Sequence, residues 1–234
     1  MDDFNYVGGE LETFSRAHHW KSYWASRVRP HIQGRVLEVG AGIGSNTLLL
    51  RAGHETSWVC LEPDPRLAAT LQRAVAAAGQ GIETRVGTLQ DLAEHERFET
   101  FLYVDVLEHI EDDRGELQHA AEHLAPGGRV VVLSPAHPWL FSPFDRSIGH
   151  FRRYTAGALR ALTPGSLRLE RVFYLDAVGL LASAANRLLL RQSMPTARQI
   201  ALWDNCMVPC SRLLDPLTLG RLGKSVVAVW DRPV

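Results

Sequence analysis

Apolar positions along this chain gather in short, β-branched runs separated by longer stretches where they recur every three or four residues. The short runs fall at about 35–39, 57–61, 82–86, 99–104, 128–134, 168–175 and 224–231 and predict seven strands. Strands of this kind alternating with helical stretches predict an α/β fold with a mostly parallel sheet covered on both faces. The helix after the first strand is expected to start near Ser45, a good cap residue. The next is opened by Pro63-Asp64-Pro65 and carried by the alanine-rich segment from Leu67 to Ala78. A third runs from Leu117 to Leu124 and stops at Pro126-Gly127-Gly128, ahead of strand five.

Two regions lie outside this rhythm. Residues 1–30 predict an aromatic-rich helix holding His18, His19, Trp20, Tyr23 and Trp24. Residues 176–222 interrupt a strand-to-strand connection; a structureless loop of that length is improbable, so two helices are expected there, over the mouth of the site. The stretch Asp176–Arg191 is apolar around much of its circumference, which suits burial, a homodimer contact or a greasy substrate tunnel. The expected organisation is a lid helix over 1–30, a core of 31–175 with 223–234, and a helical insertion over 176–222 capping the substrate site.

The first strand runs directly into chemistry: Val36-Leu37-Glu38-Val39-Gly40-Ala41-Gly42-Ile43-Gly44-Ser45. An apolar strand entering Gly-x-Gly-x-Gly and a helix is the first turn of a nucleotide-binding, Rossmann-like sheet, where glycine lets backbone approach ligand. Glu38, two positions before the first glycine, would repel a dinucleotide pyrophosphate and attract an ammonium or sulfonium. S-adenosylmethionine carries both cations and no phosphate.

Composition narrows the class further. A chain of 234 residues with 46% apolar content makes one α/β domain with room for an elaboration. The formal charge of -1 and the lack of long basic blocks argue against a nucleic-acid partner. No uncharged run reaches bilayer length and the N-terminus has no secretory pattern, so stable membrane insertion is not expected and a cytoplasmic location is. Three cysteines, Cys60, Cys206 and Cys210, exclude a disulfide framework, and buried structural thiols are expected.

Four motifs, VLEVGAGIGS at 36–45, LEPD at 61–64, DVLEHIEDD at 105–113 and LAPGGRVVV at 124–132, occur in order over residues 34–135. In this the chain resembles the class I S-adenosylmethionine-dependent methyltransferases, particularly the small-molecule branch of ubiquinone and menaquinone biosynthesis. The resemblance implies S-adenosylmethionine as cofactor, with Gly40, Gly42 and Gly44 beneath its methionyl part and Glu38 near its amino group. Glu62 would accept from both ribose hydroxyls, as a carboxylate can from a cis-diol. Pro63 and Asp64 would shape the adenine rim, and Thr88 and Leu89 would cover the base, although relatives often place an acid where Thr88 stands. Asp105 would lie beside the sulfonium. Asp105, Glu108 and His109 also match an acidic pattern that holds metal in some relatives and none in many, and no metal is assigned.

The segment from Ser134 to Tyr154 leaves strand five at the ligand-binding edge of the sheet and should choose the acceptor. Tyr23, Trp139, Phe144, Arg152, Arg153 and Tyr154 are the substrate-binding candidates; the arginines either bind an acidic acceptor or pin the loop to Asp145. An acceptor that starts as a hydroxyl or ammonium needs a base, and His150, then His109, are the candidates. The expected activity is methyl transfer to oxygen or nitrogen of a small, acidic molecule such as a secondary metabolite. The competing readings are a lipid or prenyl acceptor at a membrane surface, a non-catalytic cofactor-binding subunit and a nicotinamide oxidoreductase.

Overall fold

A computed structural model describes residues 16–51, 53, 55–79, 81–187 and 196–234. Its centre is a seven-stranded sheet: β1 Gly34–Val39, β2 Glu55–Glu62, β3 Glu83–Val86, β4 Phe98–Val104, β5 Leu124–Pro135, β6 Arg168–Leu175 and β7 Ser225–Asp231. The spatial order is β3-β2-β1-β4-β5-β7-β6, parallel except for β7, which is antiparallel to both neighbours. The order reverses between β1 and β4, and the crevice outside their carboxyl ends is where a ligand finds room. Because β7 runs the other way, its first residue lies at that same edge. All seven strands stand where the hydrophobic pattern put them, though β5 begins earlier, with Leu124 paired to Phe98 before the Gly127 turn.

The helices are α1 His18–Val28, α2 Thr47–Leu50, α3 Pro65–Ala77, α4 Asp113–His123, α5 Pro143–Ser147, α6 Ala156–Ala161, α7 Ala177–Ala185, α8 Ala197–Leu202 and α9 Val208–Leu214. Asp64 caps α3 through the amides of Arg66 and Leu67, and Pro65 supplies a preset first turn. Ser45 does not cap α2: the helix starts at Thr47, and the Ser45 hydroxyl instead accepts from Lys21. Two apolar layers sandwich the sheet. One holds Phe98, Phe101, Tyr103, Tyr154 and Trp230; the other holds Trp24, Trp58, Leu71, Val131 and Trp203.

The insertion before β7 contains α7 and a second rod in which α8 and α9 are joined by a π-helical turn, Trp203–Met207. Pro209, at the start of α9, offers no N–H to the preceding turn, which favours the wider winding there. α1 has no cap of its own, and Asp204 of the insertion supplies one by accepting from the amides of His19 and Trp20. Asp215 accepts from the amides of Asp176 and Ala177 and from the Tyr23 hydroxyl. These buried carboxylates fasten α1, the insertion and the end of β6 to one another. The cysteine expectation holds only in part, since Cys60 is buried but Cys206 and Cys210 lie on the outer face of the rod.

Candidate functional site

The turn after β1 is built as the glycine run requires. Gly40, Gly42 and Gly44 have φ of 64°, 58° and 80°, left-handed values that other residues adopt at a cost of roughly 1–2 kcal/mol. A Cβ on Gly40 would stand 2.8 Å from Val106, so the turn presses directly on the loop after β4. The turn is pinned from β2 by Glu62, whose Oε2 accepts from the Gly42 amide at 2.7 Å while Oε1 accepts from the Asp64 amide at 3.0 Å. Burial raises the Glu62 pKa against the pull of those two amides. Each oxygen keeps a second lone pair, which leaves the carboxylate able to take a diol.

Glu38 requires a correction. It is 2% exposed and turned beneath the sheet edge, where Oε2 accepts from Trp58 Nε1 at 3.0 Å. Burial pushes its pKa up to about 7 despite hydrogen bonds from Thr47, Trp58 and Cys60, so near neutral pH it is only partly charged. The acid that opens on the cleft is Asp105, at the end of β4, held in left-handed backbone (φ 54°). The surrounding protein raises its pKa to about 6, and His150, Lys224 and Lys21 oppose that rise. It is therefore mostly ionised at pH 7.

On the adenine side the expectations separate. Pro63 is half-buried, whereas Asp64 is consumed as the α3 cap and by an ion pair with Arg66 at 2.9 Å. The Thr88 amide and hydroxyl both donate to Asp91 Oδ2, at 2.7 and 3.1 Å. Leu89 points into the core and is fully buried, so its side chain cannot cover a base.

The acceptor side is organised around His150. Its Nδ1 lies 3.0 Å from Asp145 Oδ1, and its Nε2 faces Glu108 Oε1 at 3.9 Å. Arg153 grips both oxygens of Asp145, at 2.8 and 3.0 Å. Burial would raise the Asp145 pKa, but His150 and Arg153 hold it well below the usual carboxylate range. Fully buried Glu108 accepts from Ser134 Oγ at 2.9 Å through Oε2, leaves Oε1 without a hydrogen bond, and has its pKa raised well above the ordinary value by burial and by Asp105. His109 stacks edge-on against His150 at 4.5 Å, and burial, with His150, lowers its pKa to about 4. Glu108, His109 and His150 bring one ligand atom each to within 4.8 Å of one another, a set that could hold a cation; Asp105, expected from spacing, is not in that set.

Most of the aromatic and arginine candidates are structural. Arg152 pairs with Asp113 at 2.6 Å, Arg153 is committed to Asp145, and the buried Tyr154 hydroxyl donates to Asp113 at 2.8 Å, so these three anchor the loop. Tyr23 is buried and spends its hydroxyl on Asp215, at 2.7 Å. Trp20 packs on Trp203 and Trp24 lies in the core. Phe144, on α5, is half-buried, and Trp139, 47% exposed, leans over His137 at 5.9 Å; these two remain available to an acceptor.

Two residues were missed. The chain has only two lysines, Lys21 and Lys224, against twenty-three arginines, and the charges of both lower the Asp105 pKa. Lys21, on α1, donates to Ser45 at 2.7 Å above the glycine turn, and burial lowers its pKa against the pull of Asp105 and Glu38. Lys224, just before β7, sits 3.6 Å over the Trp203 ring and 3.8 Å from Asp176, whose oxygens already serve Gly179, Trp203 and Ser211. Burial lowers its pKa too. The readable signal was compositional: a chain that uses arginine everywhere else keeps the compact, titratable ammonium for two places.

A glycine turn pinned by a strand-end acid at the switch point of this sheet, with an Asp–His pair across the crevice, defines a nucleotide-cofactor transferase of the methyltransferase type. The sequence matches the methyltransferase domain family over residues 14–171, and the chain belongs to that family, whose methyl donor is S-adenosylmethionine. It is 30% identical over 152 residues to the ubiquinone biosynthesis O-methyltransferase of Azorhizobium caulinodans, covering 63% of this chain and 56% of that one. It is 31% identical over 137 residues to the demethylmenaquinone methyltransferase of Tropheryma whipplei, covering 57% and 56%. The matches thus span a little over half the length of these relatives. The fold superposes on the N-methyltransferase NodS of Bradyrhizobium japonicum in complex with S-adenosyl-L-homocysteine, with a TM-score of 0.57 and 16% identity over 94% of this chain and 88% of that one. No helix among the described residues is long and apolar enough to cross a membrane.

Proposed function

We propose that the chain moves a methyl group from S-adenosylmethionine to an oxygen or nitrogen of a small molecule bound between His150 and Lys224. The cradle fits the donor: three left-handed glycines make a turn with no side chains of its own, Glu62 has lone pairs for the ribose, and Lys21 stands above the turn where it would meet the donor's carboxylate. The donor supplies an electrophilic methyl carbon and leaves as a neutral thioether. The chain's residues then align the acceptor, exclude water and hold one proton.

The observation that carries this reading is the Asp145–His150 pair. With Nδ1 fixed by Asp145, Nε2, which faces the Glu108 carboxyl at 3.9 Å, is the nitrogen left to take the acceptor's proton as its lone pair attacks, and Asp145 stabilises the resulting imidazolium. An acidic acceptor would have to draw Lys224 from Asp176 and the Trp203 ring, since Arg152 and Arg153 are already committed. The test is incubation with methyl-labelled S-adenosylmethionine and a panel of phenolic, catecholic and amino acids, read by mass spectrometry. Gain of one methyl group in wild type and its loss in His150→Ala supports the reading; equal turnover in the variant refutes the base.

A second reading, an acceptor carrying a prenyl or lipid tail, is supported by the names of the quinone-pathway relatives. It predicts turnover of a prenylated hydroxyquinol presented in micelles and little on the soluble panel.

A further inference from the structure

We propose that the helical insertion is a docking surface for an anionic phospholipid bilayer, entered by the leucines at the end of α9 and in the turn beyond it. Leu213, Leu217 and Leu219 are 77%, 78% and 76% exposed, and Leu222, close by in sequence, is exposed as well. Single exposed leucines are ordinary on a protein surface, but a cluster in one short segment marks an interaction site.

The charges beside them have one sign. Among the described residues from 196 to 222 the exposed charged side chains are Arg198, Arg212 and Arg221, while the two acids there, Asp204 and Asp215, are buried and spent on the amides of α1 and α7. The cationic rim continues onto the body of the protein. Arg27 of α1 and Arg171 of β6 line, with Pro216 and Leu219, a surface cavity of about 330 Å³. Neither guanidinium forms an ion pair among the described residues, and Arg27 lies 5.8 Å over the Phe173 ring. A planar fork of donors beside an apolar rim suits a phosphate headgroup above acyl chains.

Charge decides between a bilayer and a second copy of this chain. A two-fold interface presents the same patch from both sides and would set these arginines against themselves, whereas anionic headgroups complement them. With no described helix able to cross a membrane, attachment is peripheral: leucines enter the headgroup boundary and arginines stay at the phosphates. The inference stands independently of which acceptor is methylated.

The test is sedimentation of the full chain with vesicles of phosphatidylcholine alone or mixed with phosphatidylglycerol, at low and physiological salt, a readout that needs no turnover. Binding should rise with phosphatidylglycerol and fall with salt. The double variant Leu213→Asp/Leu217→Asp should lower partitioning by about tenfold or more, and Arg212→Glu/Arg221→Glu should remove the preference for phosphatidylglycerol. Both variants should melt like wild type, because the four side chains are exposed. Failure of wild type to sediment with anionic vesicles, or binding by both variants at the wild-type level, overturns the proposal. So does a wild-type dimer that becomes monomeric in the leucine variant while wild type ignores vesicles.

Discussion

The donor half of the crevice, β1 to β3, and the acceptor half, β4 to β7 with its loops, are built on different principles. In the donor half backbone geometry does the work: left-handed glycines, a strand-end carboxylate and a capped helix, all contributed by residues close together in sequence. In the acceptor half the candidate side chains arrive from distant segments, with His150 from one loop, Glu108 from another and Lys224 from the start of β7. A cofactor fixes what the first half must bind, while the second is free to change by altering loops around a fixed frame.

The sharpest way to break this contrast is Gly40→Val. Its Cβ would collide with Val106 and its left-handed φ would be strained, so affinity for S-adenosylhomocysteine should drop by about 100-fold or more, measured by calorimetry. Retained affinity would mean that the turn is not the donor cradle. Next is His150→Ala, expected to lower kcat by about 100-fold while leaving the donor's Kd unchanged, as general-base removal does. A parallel loss of donor affinity would make His150 part of the scaffold.

A smaller effect separates Glu38 from an ordinary surface acid. Its folded pKa of about 7 lies above the unfolded value, so between those values the folded state binds more protons, and its contribution to stability is lost as pH rises through 7. Comparing the melting temperatures of wild type and Glu38→Gln from pH 5 to 8 should show the wild type losing ground to the variant, by an amount on the order of 2 kcal/mol. A constant difference across that range would restore a permanently charged Glu38. The smallest expected effect is that of Arg152→Ala. As a half-exposed loop pin to Asp113 it should cost about 1 kcal/mol of stability or less and leave acceptor KM unchanged. A raised KM would return Arg152 to the substrate.

The same contrast governs what could be read from the sequence. The seven strands, the glycine turn and Glu62 were legible because each depends on residue type at short range: apolar runs, φ-permissive glycine, and an acid ending a strand. His150 was legible as chemistry, and the pairing with Asp145 that orients it was foreseen only as a loop anchor for the arginines. Arg152 and Arg153 were read as either anion binders or loop pins and are held as pins, and Tyr154 and Tyr23 are likewise engaged within the fold, because chemical capacity says nothing about prior commitment. Their partners Asp113, Asp145 and Asp215 lie up to 192 positions away. Glu38 was read as charged from its residue type, whereas its burial, which raises its pKa against the hydrogen bonds of Thr47, Trp58 and Cys60, is a property of the fold. The fate of Cys206 and Cys210 likewise follows from which face of the rod meets the sheet, which apolar spacing around a short helix does not determine.

The bare Cα of Gly40 against Val106 has a mechanical consequence. Donor floor and acceptor loop are in van der Waals contact with no slack between them, so a small displacement of one must be taken up by the other. Asp105, next to Val106, is already in an uncommon backbone conformation and would share in that adjustment.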